Sequence, residues 1–201
     1  MHSTYGNQNW WPAETFDEII IGAILTQNTN WTNVEKAIFN LKSQDLCSLD
    51  KISCMDAGAL GELIRPSGYF NQKAKRLIGV ARELDCEVIK NNELWDARKI
   101  LLAINGIGPE TADSILLYAF EKPIFVIDAY TIRVFSRLGL VFAKNSYDAY
   151  QEYFMNNLEH DVRLFNEYHA LIVRHCKVSC MKKPSCDGCC LRGMCGVGDW
   201  M

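Results

Sequence analysis

Residues 94–117 read LWDARKILLAINGIGPETADSILL, and this stretch decides the fold. Apolar residues recur at helical spacing over Leu94-Ala97-Ile100-Leu101, so one helix is predicted from Leu94 to Ile104. A second is predicted from Pro109 to Leu117, with proline in the first turn, where its missing N–H goes unused. Between them Asn105-Gly106-Ile107-Gly108 makes a tight turn of minimal bulk. Glycines on both sides of one apolar residue let the backbone approach another surface closely, and the N–H groups at a helix start favour an anion. A DNA phosphate fits such a place, although most turns of this kind only join helices, so the neighbouring motifs must decide.

Outward from the hairpin the same period returns in Phe16-Ile19-Ile20-Ala23-Ile24, Val34-Ala37-Ile38-Leu41 and Leu77-Val80-Ala81-Leu84, which makes the chain all-α. Breaks at Arg65-Pro66-Ser67-Gly68, Lys122-Pro123 and Lys183-Pro184 divide the helices, and no repeat or low-complexity tract interrupts them. The apolar run Pro123-Ile124-Phe125-Val126-Ile127 is too short to build a sheet and is expected as an extended, buried lead into the next helix. It delivers Asp128 to the start of an amphipathic helix. Taken without context, Asp128 reads first as an ordinary N-cap and second as a carboxylate beside a dry base pocket. In the second role it would stabilise the positive charge that develops on a deoxyribose as its glycosidic bond breaks, and orient water. Both roles can hold at once.

The chain has nine cysteines, and Cys176, Cys180, Cys186, Cys189, Cys190 and Cys195 crowd its end. Cys180, Cys186, Cys189 and Cys195 read C-x5-C-x2-C-x5-C, a compact loop able to wrap four thiolates round one inorganic centre, either zinc or a 4Fe–4S cluster. Structural zinc sites usually show two close pairs, whereas here one tight pair lies between two five-residue spacers, which favours iron and sulfur. Cys176 and Cys190 read as spare thiols, with Cys190 a competitor for the fourth place, and Cys47, Cys54 and Cys86 as buried, inert thiols among helical patterns. Lys182, Lys183 and Arg192 would make the folded loop a small basic knob able to meet a phosphate.

With 201 residues, 49% hydrophobic and 22% charged, the chain can bury a substantial core as one domain or two. Its net charge of −3 argues against a histone-like coating of nucleic acid while permitting a local basic face. No apolar run approaches the roughly 20 residues of a membrane span. The start carries neither basic nor apolar regions of a secretory signal, so a cytoplasmic protein without disulfides is expected.

Taken in order, Leu25-Thr26-Gln27-Asn28-Thr29, the hairpin with Pro109-Glu110-Thr111-Ala112, Val126-Ile127-Asp128 and the four cysteines resemble the endonuclease III superfamily of helix-hairpin-helix DNA glycosylases, over nearly the whole chain. Trp10-Trp11-Pro12, Gly22–Thr29 and Arg65–Leu77 are more specifically similar to its 3-methyladenine DNA glycosylases. The resemblance implies a six-helix barrel over residues 16–122, with residues 1–15 and 123–201 forming a cluster-bearing α-domain, and damaged double-stranded DNA bound by a monomer in the cleft between them. It places Asp128 on the catalytic aspartate and Glu110 where strand-cutting members carry a lysine. A carboxylate cannot form the imine that such a lysine makes, so base release without strand cutting is expected, Lys122 being an unrecommended substitute. Trp10 and Trp31 fall where aromatic residues sandwich the flipped base, Trp11 and Pro12 shape the same wall, and an indole face suits a cationic alkylated purine. Gln27 and Asn28 match the residues that wedge into the duplex, and Gly106, Ile107 and Gly108 the strand-gripping turn.

The first spacer of the cysteine motif is one residue shorter than is usual in endonuclease III, and some of the alkyladenine relatives lack the cluster. Two rivals therefore stand: an enzyme of the same fold acting on oxidised pyrimidines or mismatched bases, and a non-catalytic iron–sulfur module that binds DNA or senses redox state.

Overall fold

The computed structural model describes residues 1–8, 10–142 and 146–196. Its helices are α1 (His2–Tyr5), α2 (Phe16–Leu25), α3 (Trp31–Ser43), α4 (Leu49–Ser53), α5 (Ala57–Leu63), α6 (Phe70–Glu83), α7 (Cys86–Asn91), α8 (Leu94–Ala103), α9 (Pro109–Tyr118), α10 (Ala129–Arg137), α11 (Tyr147–Asn157) and α12 (Val162–Val178), with single 3-10 turns at Arg65–Ser67 and Arg192–Met194. The protein is all-α, and among the described residues there is no strand and no helix long and apolar enough to cross a membrane. The chain divides into two compact units, Ala13–Lys122 and Met1–Pro12 with the described residues from Pro123 onward.

In the first unit α6 is the organising helix. Ala74, Leu77, Ile78 and Val80 are buried along one stripe, which packs against α4 and α5, while Lys75, Arg76 and Glu83 stay in water. α2 is apolar on nearly every side, from Ile20 to Leu25, and lies against α3, α6 and α9. Side-chain caps fix the helix starts: Thr15 accepts from Glu18 N, Asn30 from Asn33 N and Asp56 from Gly58 N and Ala59 N. The α8–α9 hairpin is closed by a buried ion pair, Arg98 Nε donating to Asp113 Oδ1 at 2.7 Å. Cys54, expected to be buried, is instead exposed, because it is the C-cap just past the end of α4.

In the second unit, Ile124, Phe125, Val126 and Ile127 lie outside helix and strand and are almost wholly buried. A buried segment outside helix and strand must satisfy its backbone by other partners. Side chains do this: Gln151 Nε2 donates to Phe125 O at 3.0 Å, and Ile127 N donates to the Tyr147 hydroxyl at 3.3 Å. The Phe125 ring stacks on Phe154 with centroids 4.2 Å apart and meets Phe165 and Tyr168 edge-on, a core that fixes where Asp128 begins α10. α12 packs along α10 and carries two buried histidines, His169 and His175.

Candidate functional site

The hairpin turn forms as its glycines require. Gly106 adopts φ +95°, a left-handed conformation, and a Cβ added there would lie 2.8 Å from Arg76 Cγ, so glycine is needed for both backbone and space. Ile107 is buried and anchors the turn, while Gly108 is exposed at the N-cap of α9. Glu110 stands exposed in the first turn of α9, and its carbonyl accepts from Ser114 Oγ at 2.7 Å.

Gln27 and Asn28, paired in sequence, differ in surroundings. The Gln27 amide donates to Gly106 O and to Thr111 Oγ1, both at 3.0 Å, and accepts from Arg76 Nη1 at 3.0 Å, so its side chain belongs to the hairpin turn. Asn28 is exposed at φ 54°. Another residue of the same unit shares this exposed left-handed setting: Tyr69, at φ 46°, with 69% of its surface in water.

In the other unit, Asp128 caps α10. Its Oδ1 accepts from Thr131 N at 2.7 Å and Thr131 Oγ1 at 2.9 Å, while Oδ2 lies 3.5 Å from His169 Nε2. Burial by itself would raise this carboxyl; the His169 imidazole and the two Thr131 donors outweigh it and hold the carboxyl below its ordinary value. The result is a nearly buried, ionised carboxylate with one oxygen saturated by donors.

Trp10 and Trp11 are half-buried and meet edge-on, with centroids 6.2 Å apart, and Pro12 beside them is exposed. One face of Trp10 already receives a cation, Lys177 Nζ at 5.5 Å from the ring centroid. Trp31 belongs to the hairpin-bearing unit, half-buried as the first residue of α3.

The loop after α12 turns four thiols onto one hollow. Cys180, Cys186, Cys189 and Cys195 line one solvent-open hollow with Leu138, His175 and Leu191. Arg137 grips the loop: Nη1 donates to Cys180 Sγ at 3.1 Å and to Met181 O at 2.9 Å, and Nη2 to Lys182 O at 3.0 Å. Cys176, donating to Cys180, leads the effects that hold the Cys180 thiol at about 4; burial opposes it, and His175 and Arg137 assist. Cys190 faces elsewhere, with Sγ 4.0 Å from the Tyr5 hydroxyl and 3.9 Å from His175 Nδ1. Four thiolates round one zinc ion would each lie about 2.3 Å from it. Among the described residues no group of three or more Cys, His, Asp or Glu side chains closes in on a single ion.

Four features here escape sequence reading: His169 beside Asp128, Lys177 on Trp10, exposed Tyr69, and Lys73, a lysine only 1% exposed. Two left a signal. His169 falls on the stripe Phe165-His169-Ile172-Cys176 and Lys73 on the stripe Lys73-Ala74-Leu77-Ile78, so helical register alone assigns both to buried faces.

Comparison with known proteins gives one consistent picture. Residues 21–160 match the family described as HhH-GPD superfamily base excision DNA repair protein. The chain is 52% identical over 198 residues to a protein of Methanocaldococcus jannaschii named as a candidate DNA repair glycosylase, covering 95% of this chain and 90% of that one. Among solved structures it is similar to the H. pylori 3-methyladenine DNA glycosylase bound to 1,N6-ethenoadenine, with 33% identity, a TM-score of 0.71, and 84% of this chain and 87% of that one covered. An endonuclease III–DNA complex superposes with a TM-score of 0.84 over 99% of this chain and 92% of that one, at 20% identity, a likeness of fold.

Proposed function

The chain belongs to the HhH-GPD superfamily of base excision DNA repair proteins, and within it we propose a monofunctional DNA N-glycosylase that hydrolyses the glycosidic bond of alkylated purines such as 3-methyladenine. The observation that carries the reading is Asp128: a nearly buried carboxylate kept ionised by Thr131 and His169, at the start of a helix that a rigid apolar segment positions. In this reading residues 16–122 form the hairpin-bearing barrel and residues 1–15 with 123–201 the cysteine-bearing domain. The protein works as a monomer on damaged double-stranded DNA in the cytoplasm.

The hairpin, through Gly106, Ile107 and Gly108, meets a strand phosphate with the N–H groups that open α9. Asn28 fills the gap left by the flipped nucleotide, with Gln27 bracing it against the turn. The purine stacks on Trp10 and Trp31 beside Trp11 and Pro12. Its C1′–N bond breaks with the electron pair leaving on the purine, which an alkyl group has already made cationic, so the base departs neutral. Asp128 Oδ2 offsets the charge growing on the sugar. The oxygen of water bonds to C1′, and its proton passes to Oδ2 and on to solvent. Glu110 offers no amine in the hairpin, so no imine with the sugar forms and the strand stays intact.

Cys180, Cys186, Cys189 and Cys195 would hold a 4Fe–4S cluster, zinc being the alternative. One hollow lined by all four cysteines, with one tight pair set between two five-residue spacers, supports iron and sulfur. Such a group, when bound, supplies a rigid tie for the loop that carries Lys182, Lys183 and Arg192.

The position of Lys177 favours a second reading of the lesion. With an ammonium already on one face of Trp10, a cationic purine is limited to the other face, and a neutral alkylated base escapes the repulsion. Incubation with duplexes carrying methylated purines or 1,N6-ethenoadenine, with released bases resolved and strand nicks scored with and without alkali, tests both. Release of 3-methyladenine with nicks only after alkali is the expected result. Release of ethenoadenine alone favours the neutral lesion, nicks without alkali overturn the monofunctional reading, and release of oxidised pyrimidines alone overturns the substrate class.

A further inference from the structure

The mechanism above leaves unused two cations that stand three residues apart on α6. The Lys73 ammonium is buried, and a buried charge is tolerated only where acceptors meet it. It has two: Nζ donates to Leu25 O at 2.8 Å and to Ser67 O at 2.7 Å. Leu25 is the last residue of α2, whose carbonyls lack helical partners, and three residues later comes exposed Asn28. Ser67 ends the 3-10 turn, and two residues later comes exposed Tyr69. One ammonium thus joins the bases of two loops, each of which presents an exposed side chain from a left-handed residue. Arg76 extends the tie. Its guanidinium holds the Gln27 amide, which in turn bonds Gly106 O, and its aliphatic stem occupies the space that glycine at 106 leaves.

Loops that must meet one duplex together need a fixed mutual spacing. An aromatic ring can stack on bases opened by flipping, and an amide can bond a base edge, but only if both arrive at compatible depths. We propose that Lys73 and Arg76 are positioning residues that fix the loops of Asn28 and Tyr69, and the hairpin turn, as one rigid DNA-reading edge. The inference rests on the glycosylase reading for its purpose and on the hydrogen bonds for its geometry. Burial, and after it Arg76, brings the Lys73 amine down to about 8, yet a neutral amine retains two N–H groups, enough for both carbonyls. With Nζ engaged by two backbone oxygens and closed off from solvent, Lys73 is unsuited to attack a sugar.

The test uses the full chain and two readouts. Amide hydrogen exchange is followed over residues 25–29, 66–70 and 105–108, and binding to a duplex with a tetrahydrofuran abasic analogue is compared with binding to undamaged duplex. For Lys73→Met we expect exchange to rise at least tenfold at 25–29 and 66–70 together, with α12 unchanged, and the preference for the abasic duplex to fall at least tenfold. Exchange within twofold of wild type at both loops, or a rise confined to one, overturns the tie. Should Lys73→Met fail to fold, surface-exposed Arg76→Met provides the second variant: exchange should rise at 105–108 and at Gln27, and no rise there overturns its part. An unchanged preference for the abasic duplex despite loosened loops overturns the purpose while sparing the geometry. Absence of that preference in wild type overturns the glycosylase reading itself.

Discussion

The loop of Gln27 and Asn28 and the loop of the four cysteines both leave the end of a helix as polar connections, yet they are held by different means. The first is fixed by hydrogen bonds from side chains of the chain itself: Lys73 below it, Arg76 beside it, and the hairpin turn across from it. The second has a tie of the same kind on one flank, from Arg137 to residues 180–182, but it also turns four thiols onto a hollow. Ties made by the chain form whenever it folds. On the proposed reading the cysteine loop depends on what its thiolates bind, so the two regions should fail separately and under different insults.

The largest expected effect falls on the cysteine loop. With iron and sulfur bound as proposed, wild type is brown, and Cys189→Ser should remove that visible absorbance and lower stability by about 3 kcal/mol or more, roughly 6–12 °C in melting temperature. Hydrogen exchange at 25–29 and 66–70 should stay at its wild-type level. A variant that melts as wild type does would show that the hollow needs no filling. Next comes Gly106→Ala, where φ +95° and the 2.8 Å approach to Arg76 act together. A loss of about 1–3 kcal/mol is expected in denaturant unfolding, with iron content unchanged. A neutral effect would show that Arg76 moves aside freely.

A third effect is a slope with pH. Lys73 lies at about 8 in the fold against an ordinary 10.5. Below pH 8 folded and unfolded chains both carry the proton, and the cost of burying it is present in full. Between the two values the unfolded chain binds a proton that the folded chain does not, so stability rises with pH. Denaturation midpoints from pH 7 to 10.5 should show wild type gaining on Lys73→Met; a constant difference contradicts the depressed value.

The elements of the candidate site were largely legible, because each leaves a local mark. The helix breaks around Gly106 and Gly108, the apolar run ending at Asp128, and the cysteine spacing are properties of adjacent residues. What stayed hidden are partnerships across the fold. Asp128 reads as a cap because it opens an amphipathic helix, but His169 lies on another helix, 41 positions away. Gln27 reads as a free wedge because sequence shows no trace of its bonds to Gly106 and Thr111. Lys73 sits in the basic run Lys73-Ala74-Lys75-Arg76, which suggests a solvated face, and only its place on the Leu77-Ile78 stripe betrays burial. Periodicity tells which side of a helix is inward, and geometry alone tells what waits there.

The central claim is that Asp128 performs the chemistry and leaves recognition to other residues. Single-turnover base release from alkylated duplex, measured for wild type and Asp128→Asn beside their affinities for the abasic-analogue duplex, tests it most directly. Asparagine keeps an oxygen to cap α10, so the variant should fold and bind DNA within a few-fold of wild type while release falls by about 100-fold or more. Release near the wild-type rate from a folded, DNA-binding Asp128→Asn would contradict the account and leave Asp128 as a helix cap.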